Sequence, residues 1–256
     1  MNPDLEAWKE TLKELGVMGL IGLRQDAKEQ PRPTISQERL MTTKKPLKKS
    51  IEKQEYRAPS DEQGNPPQIT VDRAASLEEL QSAIQGCLKC ILGNTRTKFV
   101  FGEGNPQAKL LIIGEGPGKE EDLQGRPFAG RSGELLDKML QSIELKRSDV
   151  YIANIVKCRP PDNRTPTPEE SKTCISYLKR QIEIIRPQAI LTLGATPLRE
   201  FLGVKEGITK VRGAWLEWQG IPVLPTFHPA YVLRNYTVEV RRTVWSDFVA
   251  AKSRLN

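Results

Sequence analysis

Few residues in this 256-residue chain are equipped for chemistry, and their spacing narrows what that chemistry is. Cys87 and Cys90 form a Cys-x-x-Cys pair, and Cys158 and Cys174 form a second, wider pair with fifteen residues between them. Four thiolates suit zinc or an iron–sulfur cluster. A zinc ribbon usually brings its second pair within about 20 residues of the first. Here Cys158 comes 68 positions after Cys90, so a shared site ties the start of a domain to a distant loop. A thioredoxin-like redox pair leaves Cys158 and Cys174 without a part, and buried free thiols are the plain alternative. Spacing does not decide between the metals.

The sole histidine, His228, stands in VLPTFHPAYVLRN, just past an apolar run ending at Leu224–Pro225. A lone histidine is more often structural than catalytic. One placed at the carboxyl end of a strand is where open α/β sheets bind ligands. A second such place is LLIIGEGPG, in which Leu110–Ile113 reads as a buried strand. Its turn has glycine at positions 114, 116 and 118, which permits backbone shapes and ligand approach that a side chain blocks. Turn geometry alone explains many such glycines.

The elements that must position these residues alternate. A helix over Leu77–Cys87 precedes the strand Leu110–Ile113. Then come helix Ser132–Ile143, strand Val150–Val156, helix Pro168–Ile185, strand Ala189–Leu193 and a short helix near Thr196. Trp215–Trp218 and Ile221–Leu224 flank a turn at Gly220, and a last helix covers about Thr237–Lys252. Alternating strands and helices imply a parallel sheet covered on both faces. Residues 3–23 read as one helix, with Asn2 as N-cap and Leu5, Trp8, Leu12, Leu15 and Met18 at helical spacing. Residues 24–76 are polar, aperiodic and rich in Lys, Glu, Gln and Pro, which predicts a disordered linker. The expected organisation is an extension over 1–75 and one domain over 76–256.

The chain carries a net charge of +7, nearly all of it in the domain: 26 Lys/Arg against 20 Asp/Glu after residue 76, and 13 against 12 before it. Moderate basicity suits a polyanionic partner, although it also serves plain solubility. No apolar run approaches the roughly 20 residues of a membrane span, and MNPDLEAWKE lacks the features of a secretion signal. A cytoplasmic protein is the expectation.

GEGPGKEEDLQGRPFAGRSG, NIVKCRPPDNRTP, HPAYVLRN and the four cysteines at this spacing resemble the family-4, iron–sulfur type uracil-DNA glycosylases, over roughly Ser76 to Ala250. The resemblance implies a [4Fe–4S] cluster on Cys87, Cys90, Cys158 and Cys174, and an α/β/α three-layer core with a four-stranded parallel sheet. It implies uracil-containing DNA as substrate and hydrolysis of the bond between uracil N1 and C1′ of the sugar. Phe128 then stacks on the flipped base. The Asn154 amide donates to O4 and accepts from N3–H, a pattern cytosine cannot match. His228 donates to O2 as negative charge builds there, and Gly114, Glu115 and Gly116 form the pocket floor. Gly116 stands where many other uracil-DNA glycosylases have a water-positioning aspartate, which the family-4 pattern also lacks there. Glu115 is the first expectation for holding the water, with Glu121 and Asp122 as alternatives. For DNA, Ser132 and Thr196 are expected at phosphates near helix starts, Val232 or Leu233 as a wedge in the vacated stack, and Arg234 on a phosphate. The cluster is expected to be structural, fixing its segments near the DNA face. A monomer is expected, and the helix over residues 3–23 reads equally as a docking element for a repair or replication partner, a self-association element or a helix packed on the core.

Three other readings compete. A broader deaminated-base glycosylase shares these motifs. A variant that links covalently to abasic DNA carries an extra basic, histidine-bearing loop after the first motif, and KEEDLQGRPF has no histidine. A nucleic-acid-binding module or electron carrier with a four-cysteine centre makes His228 and Asn154 incidental.

Overall fold

The computed structural model describes residues 71–255. The helix expected over 3–23 and the linker up to residue 70 lie outside them. Of the described residues, Val71–Arg73 form a 3-10 turn that leads into α1 (Leu77–Ile84). Ser76 caps α1, accepting from the Glu79 N–H. The packed structure already includes residue 74: Ala74 is fully buried, and its carbonyl accepts from Arg180 Nε and Nη2 at 3.1 and 2.7 Å.

In chain order the elements continue α2 (Leu92–Thr95), β1 (Glu103–Gly104), β2 (Leu110–Gly114), α3 (Lys119–Gln124), α4 (Arg131–Gln141) and β3 (Tyr151–Asn154). Next are α5 (Pro168–Ile185), β4 (Ala189–Leu193), α6 (Ala195–Glu200), α7 (Ile208–Val211), β5 (Leu216–Trp218), β6 (Ile221–Thr226), α8 (Pro229–Arg234) and α9 (Val238–Lys252). The sheet has six strands in the order β1-β3-β2-β4-β6-β5, where four were expected. The inner four pair in parallel, while β1 and β5 run antiparallel along the two edges. β5 is the Leu216–Trp218 arm of the hairpin turning at Gly220, whose φ of 81° lies in the left-handed region. β1 is only two residues long, too short to leave a periodic trace in sequence.

Local chemistry explains the long elements. β2 is buried at every position, as a central parallel strand covered on both faces should be. Alternate residues serve the two faces: Leu111 and Ile113 join the core under α1 and α5, and Leu110 and Ile112 join that under α4 and α9. The three-layer α/β arrangement follows from that alternation. α5 begins with a reciprocal capping box, Thr167 Oγ1 taking the Glu170 N–H and Glu170 Oε2 taking the Thr167 N–H, with Pro168 in the first turn. It ends on Arg186 in the left-handed conformation.

α3 answers what the run of charges after the glycine turn is for. Its first turn carries Glu120, Glu121 and Asp122, acids favoured at a helix N-terminus. Both of the alternative water-holders are thereby occupied. Glu121 accepts from the Gly118, Ala129 and Gly130 N–H groups, and Asp122 Oδ1 accepts from those of Thr97 and Lys98.

Candidate active site

A cleft of about 630 Å³ opens where β2, β4 and β6 end, the place an open α/β sheet leaves for ligands. Glu115 and Gly116 enter it from the turn after β2, Leu193 and Gly194 from β4, and Phe227 and His228 from β6. Phe128 and Ser132 close one side. The loop after Cys158 closes the other through Pro160, Asn163, Arg164 and Thr165. In the sequence this loop stands only as part of the motif NIVKCRPPDNRTP. Its signal was two prolines followed by Asp-Asn, and Asp162 and Asn163 both adopt left-handed backbone, as Asp and Asn tolerate best. Arg164 fixes the loop with a two-pronged bond to Glu170, at 2.8 and 2.6 Å.

Asn154 ends β3 in register with Gly114 of β2. The two positions are matched in size: a Cβ at 114 would strike Asn154 Oδ1 and come within 2.7 Å of two Phe128 ring carbons. Asn154 and Gly114 do not line the cleft directly. Asn154 is buried, and its Oδ1 has no hydrogen-bond partner among the described residues. A buried acceptor left unpaired costs about 1–3 kcal/mol, which makes it a place to look for a ligand's donor.

Phe128 holds a positive φ of 51°, unusual for a bulky residue. Arg147 fixes this turn, its guanidinium donating to the Pro127 and Phe128 carbonyls at 2.9 and 2.8 Å while paired with Glu103 and Asp137. The ring stacks on the imidazole of His228, centroids 5.5 Å apart. His228 caps α8: its Nδ1 accepts the Ala230 N–H at 3.1 Å, which leaves Nε2 as the protonated, donating nitrogen of a neutral ring. Burial, helped by Arg234, pushes its pKa down to about 4, so the ring is neutral at pH 7.

Glu115 is half-buried, and its Oε2 accepts the Thr196 hydroxyl. Thr196 is itself buried, so its side chain serves Glu115 and is not free for the phosphate expected there. Val232 is not available as the expected wedge. It is fully buried in the core beside α4 and α9 and cannot enter a base stack without leaving that core. Leu233 is only half-buried, Arg234 is exposed on the cleft rim, and Ser132 lies on the rim near the start of α4.

Cys87, Cys90, Cys158 and Cys174 lie near enough to one another to interact electrostatically. Burial pushes Cys90, Cys158 and Cys174 up, Cys174 to about 12, and neighbouring thiols push further: Cys87 on Cys90, Cys90 and Cys87 on Cys158, Cys158 and Cys90 on Cys174. Two side-chain donors are directed at sulfur, Arg96 Nη1 at Cys158 (3.2 Å) and Tyr177 Oη at Cys87 (3.1 Å). Such donors favour thiolates, as does a bound metal, which deprotonates a coordinating thiol outright. The donor set fits a centre held by four thiolates.

The chain is similar to proteins of known class. Residues 101–249 match the family described as the Uracil DNA glycosylase superfamily. A Type-4 uracil-DNA glycosylase of Thermotoga maritima is 51% identical over 183 residues, covering 71% of this chain and 95% of that protein. One from Archaeoglobus fulgidus is 44% identical over 181 residues, 68% of this chain and 90% of that protein. A Type-5 uracil-DNA glycosylase of Pyrobaculum aerophilum is 31% identical over 144 residues, 50% of this chain and 63% of that protein. The chain belongs to the uracil DNA glycosylase superfamily. Its identity to the type-4 proteins, over nearly their whole length, places it in that branch.

Proposed function

We propose that this protein removes uracil from DNA by hydrolysing the bond between uracil N1 and C1′ of the deoxyribose, leaving an abasic site. The observation that carries the reading is the unpaired, buried Oδ1 of Asn154 beside the Phe128 ring. Uracil N3–H is a donor that satisfies it, whereas N3 of cytosine offers only a lone pair. The base is first taken from the stack, at a few kcal/mol. Phe128 supplies a flat apolar surface for it, and base–aromatic stacking contributes about 1–3 kcal/mol.

As the glycosidic bond breaks, negative charge gathers on the uracil carbonyls. Neutral His228 donates from Nε2 to O2, and a donor placed for that moment contributes about 2.7–4 kcal/mol. Glu115 is held through Oε2 by Thr196, leaving Oε1 to hold the attacking water. The sugar becomes cation-like in the transition state, so a weakly activated water suffices and Gly116 need carry no carboxylate. Ser132 and Arg234 on the rim serve DNA phosphates, and Leu233 is the residue left to fill the vacated stack.

Cys87, Cys90, Cys158 and Cys174 would hold a [4Fe–4S] cluster, supported by the type-4 relationship and the four-thiol donor set. When bound, such a cluster supplies four metal–thiolate links and a one-electron couple. Those links join three segments: the Cys87–Cys90 loop, the start of the cleft-lining loop at Cys158, and α5 at Cys174. The test is a uracil-containing oligonucleotide assayed for alkali-labile sites, with a matched cytosine strand as control. Release of uracil and strand scission only after alkali are expected. An intact uracil strand after prolonged incubation with iron-loaded protein sinks the proposal.

A further inference from the structure

Asp247 is a buried carboxylate on α9, outside the set of residues that line the cleft. Three segments meet on it. Arg212, just past α7, grips it as a fork: Nε donates to Oδ2 at 3.0 Å and Nη2 donates to Oδ1. Thr226, the last residue of β6, donates its hydroxyl to Oδ2 at 2.5 Å. Gly213 has a φ of 76°, and a Cβ there would stand 3.0 Å from Oδ1, so glycine lets the chain pass this close to the carboxylate. The Gly213 N–H also donates to the Pro225 carbonyl at 2.9 Å, which ties the Arg212 segment to β6. Phe227 and His228, both cleft residues, follow Thr226 directly. Thr226 is fully buried and held from two sides, its carbonyl by the Gly194 N–H at 2.9 Å and its hydroxyl by Asp247. Arg212 lies against the Phe227 ring, its guanidinium carbon 6.0 Å from the centroid. A buried ion pair is weak evidence for stability, since apolar residues of similar volume often serve as well. Apolar residues cannot, however, fix a hydroxyl and a guanidinium at set distances beside one stretch of main chain.

We infer that Asp247 is a positioning residue for His228: it fixes the end of β6 through Thr226 and the flank of Phe227 through Arg212, and so sets where the His228 donor points. The inference rests on uracil excision and on the donor role proposed above for His228. A donor works only where the oxygen will be, and a misplacement of about 1 Å can cost on the order of 10²-fold in rate. The hydrogen bond of the ring itself, from the Ala230 N–H to Nδ1, is made downstream in the first turn of α8. The upstream hold comes from Thr226 and Asp247. Asp247 therefore acts on the reaction from behind the sheet, touching neither base nor sugar.

The test uses Thr226→Val in the iron-loaded full chain, which keeps the shape and the Arg212–Asp247 pair and removes only the hydroxyl. Single-turnover uracil excision should fall about tenfold, with affinity for abasic DNA within about threefold of wild type. Thr226→Ser, which restores the hydroxyl, should recover most of the rate. In a double-mutant cycle with His228→Ala, adding Thr226→Val should cost less than about twofold, because a residue that acts through His228 has nothing left to position. The His228 ring resonances should shift in Thr226→Val, a readout that needs no substrate. An unchanged rate, unmoved resonances or losses that simply add in the cycle each overturn the inference. If Thr226→Val does not fold, Asp247→Asn takes its place, since its amide leaves one oxygen for donors that now share two. The same cycle applies, and additive losses again overturn the positioning role. Wild-type protein that leaves a uracil strand intact overturns the excision reading and this inference with it, whereas additive losses in an active enzyme overturn the positioning alone.

Discussion

His228 and Phe128, a hundred residues apart in sequence, stack ring on ring at 5.5 Å with an interplanar angle of 28°. Because Nδ1 of that histidine is spent on the Ala230 N–H, its remaining function is that of a neutral Nε2 donor. His228→Ala should slow single-turnover excision by at least about tenfold, or 1.4 kcal/mol, while affinity for abasic DNA is retained. A smaller loss in rate removes His228 from the role at O2.

The same ring makes a prediction about pH. Its pKa is lowered from 6.5 to about 4 in the folded protein. Above pH 6.5 the ring is neutral both folded and unfolded, so its contribution to stability is whole. Between pH 6.5 and about 4 the unfolded state binds the proton first, so stability is lost as the pH falls through that window. The His228 resonances should titrate near pH 4 in an NMR pH series, and a midpoint near 6.5 would show an ordinary exposed ring. His228→Gln should reduce the loss of thermal stability over this window.

Asn154 is predicted to read the base. Asn154→Ala should cut uracil excision sharply with binding to abasic DNA largely kept, because a mismatched polar site can reject a substrate by roughly 10⁴ to 10⁵. Asn154→Asp, where ionised, accepts from the cytosine amine and should admit some cytosine excision. Both variants need matched uracil and cytosine strands. Wild-type rates for Asn154→Ala assign base reading to another group.

Gly114→Ala probes the space between Asn154 and Phe128. Its Cβ would meet the Phe128 ring at 2.7 Å and collide with Asn154 Oδ1, so one of them must move. Overpacking of this sort costs about 1–3 kcal/mol of stability. Excision should fall further than stability alone explains, and a folded Gly114→Ala protein with full activity would separate Gly114 from the base pocket.

Thr196→Val removes the hydroxyl that holds Glu115 and preserves shape. The expected result is a slower chemical step at unchanged DNA affinity, with Glu115→Gln showing a loss of the same kind. If Thr196→Val instead weakens DNA binding and spares the rate, Thr196 acts at phosphate, as its position near a helix start suggested.

Removal of residues 1–70 should leave a folded, active core, since the matches to type-4 proteins need only about 70% of this chain. Cutting five residues further takes away Ala74, which is fully buried and whose carbonyl receives Arg180. Thermal denaturation of the two truncations should show the shorter chain distinctly less stable. Equal melting temperatures put the start of the domain at Ser76.

Residue order by itself determined the elements with strong local signals. Pro168–Ile185 carries its cap, its first-turn proline and its apolar face within eighteen residues, and Ala189–Leu193 is apolar throughout, so both were legible to the residue. The residue types at the strand ends, Glu115, Asn154 and His228, and the four cysteines could also be named in advance, because chemistry restricts what such groups do. Tertiary structure alone decided how each is used. Val232 and Leu233 are neighbours in one short helix, yet one is in the core and the other at its edge, a matter of which face packs on α4 and α9. Glu121 and Glu115 are both acids beside the same glycine turn, yet the first is bound by three backbone N–H groups and the second by one hydroxyl. Lys157 gave no sequence signal at all, since an isolated lysine is ordinarily a solvated surface charge. It is fully buried, and its contacts with the Asn154 carbonyl and Gln181 are ones that only the tertiary fold brings together.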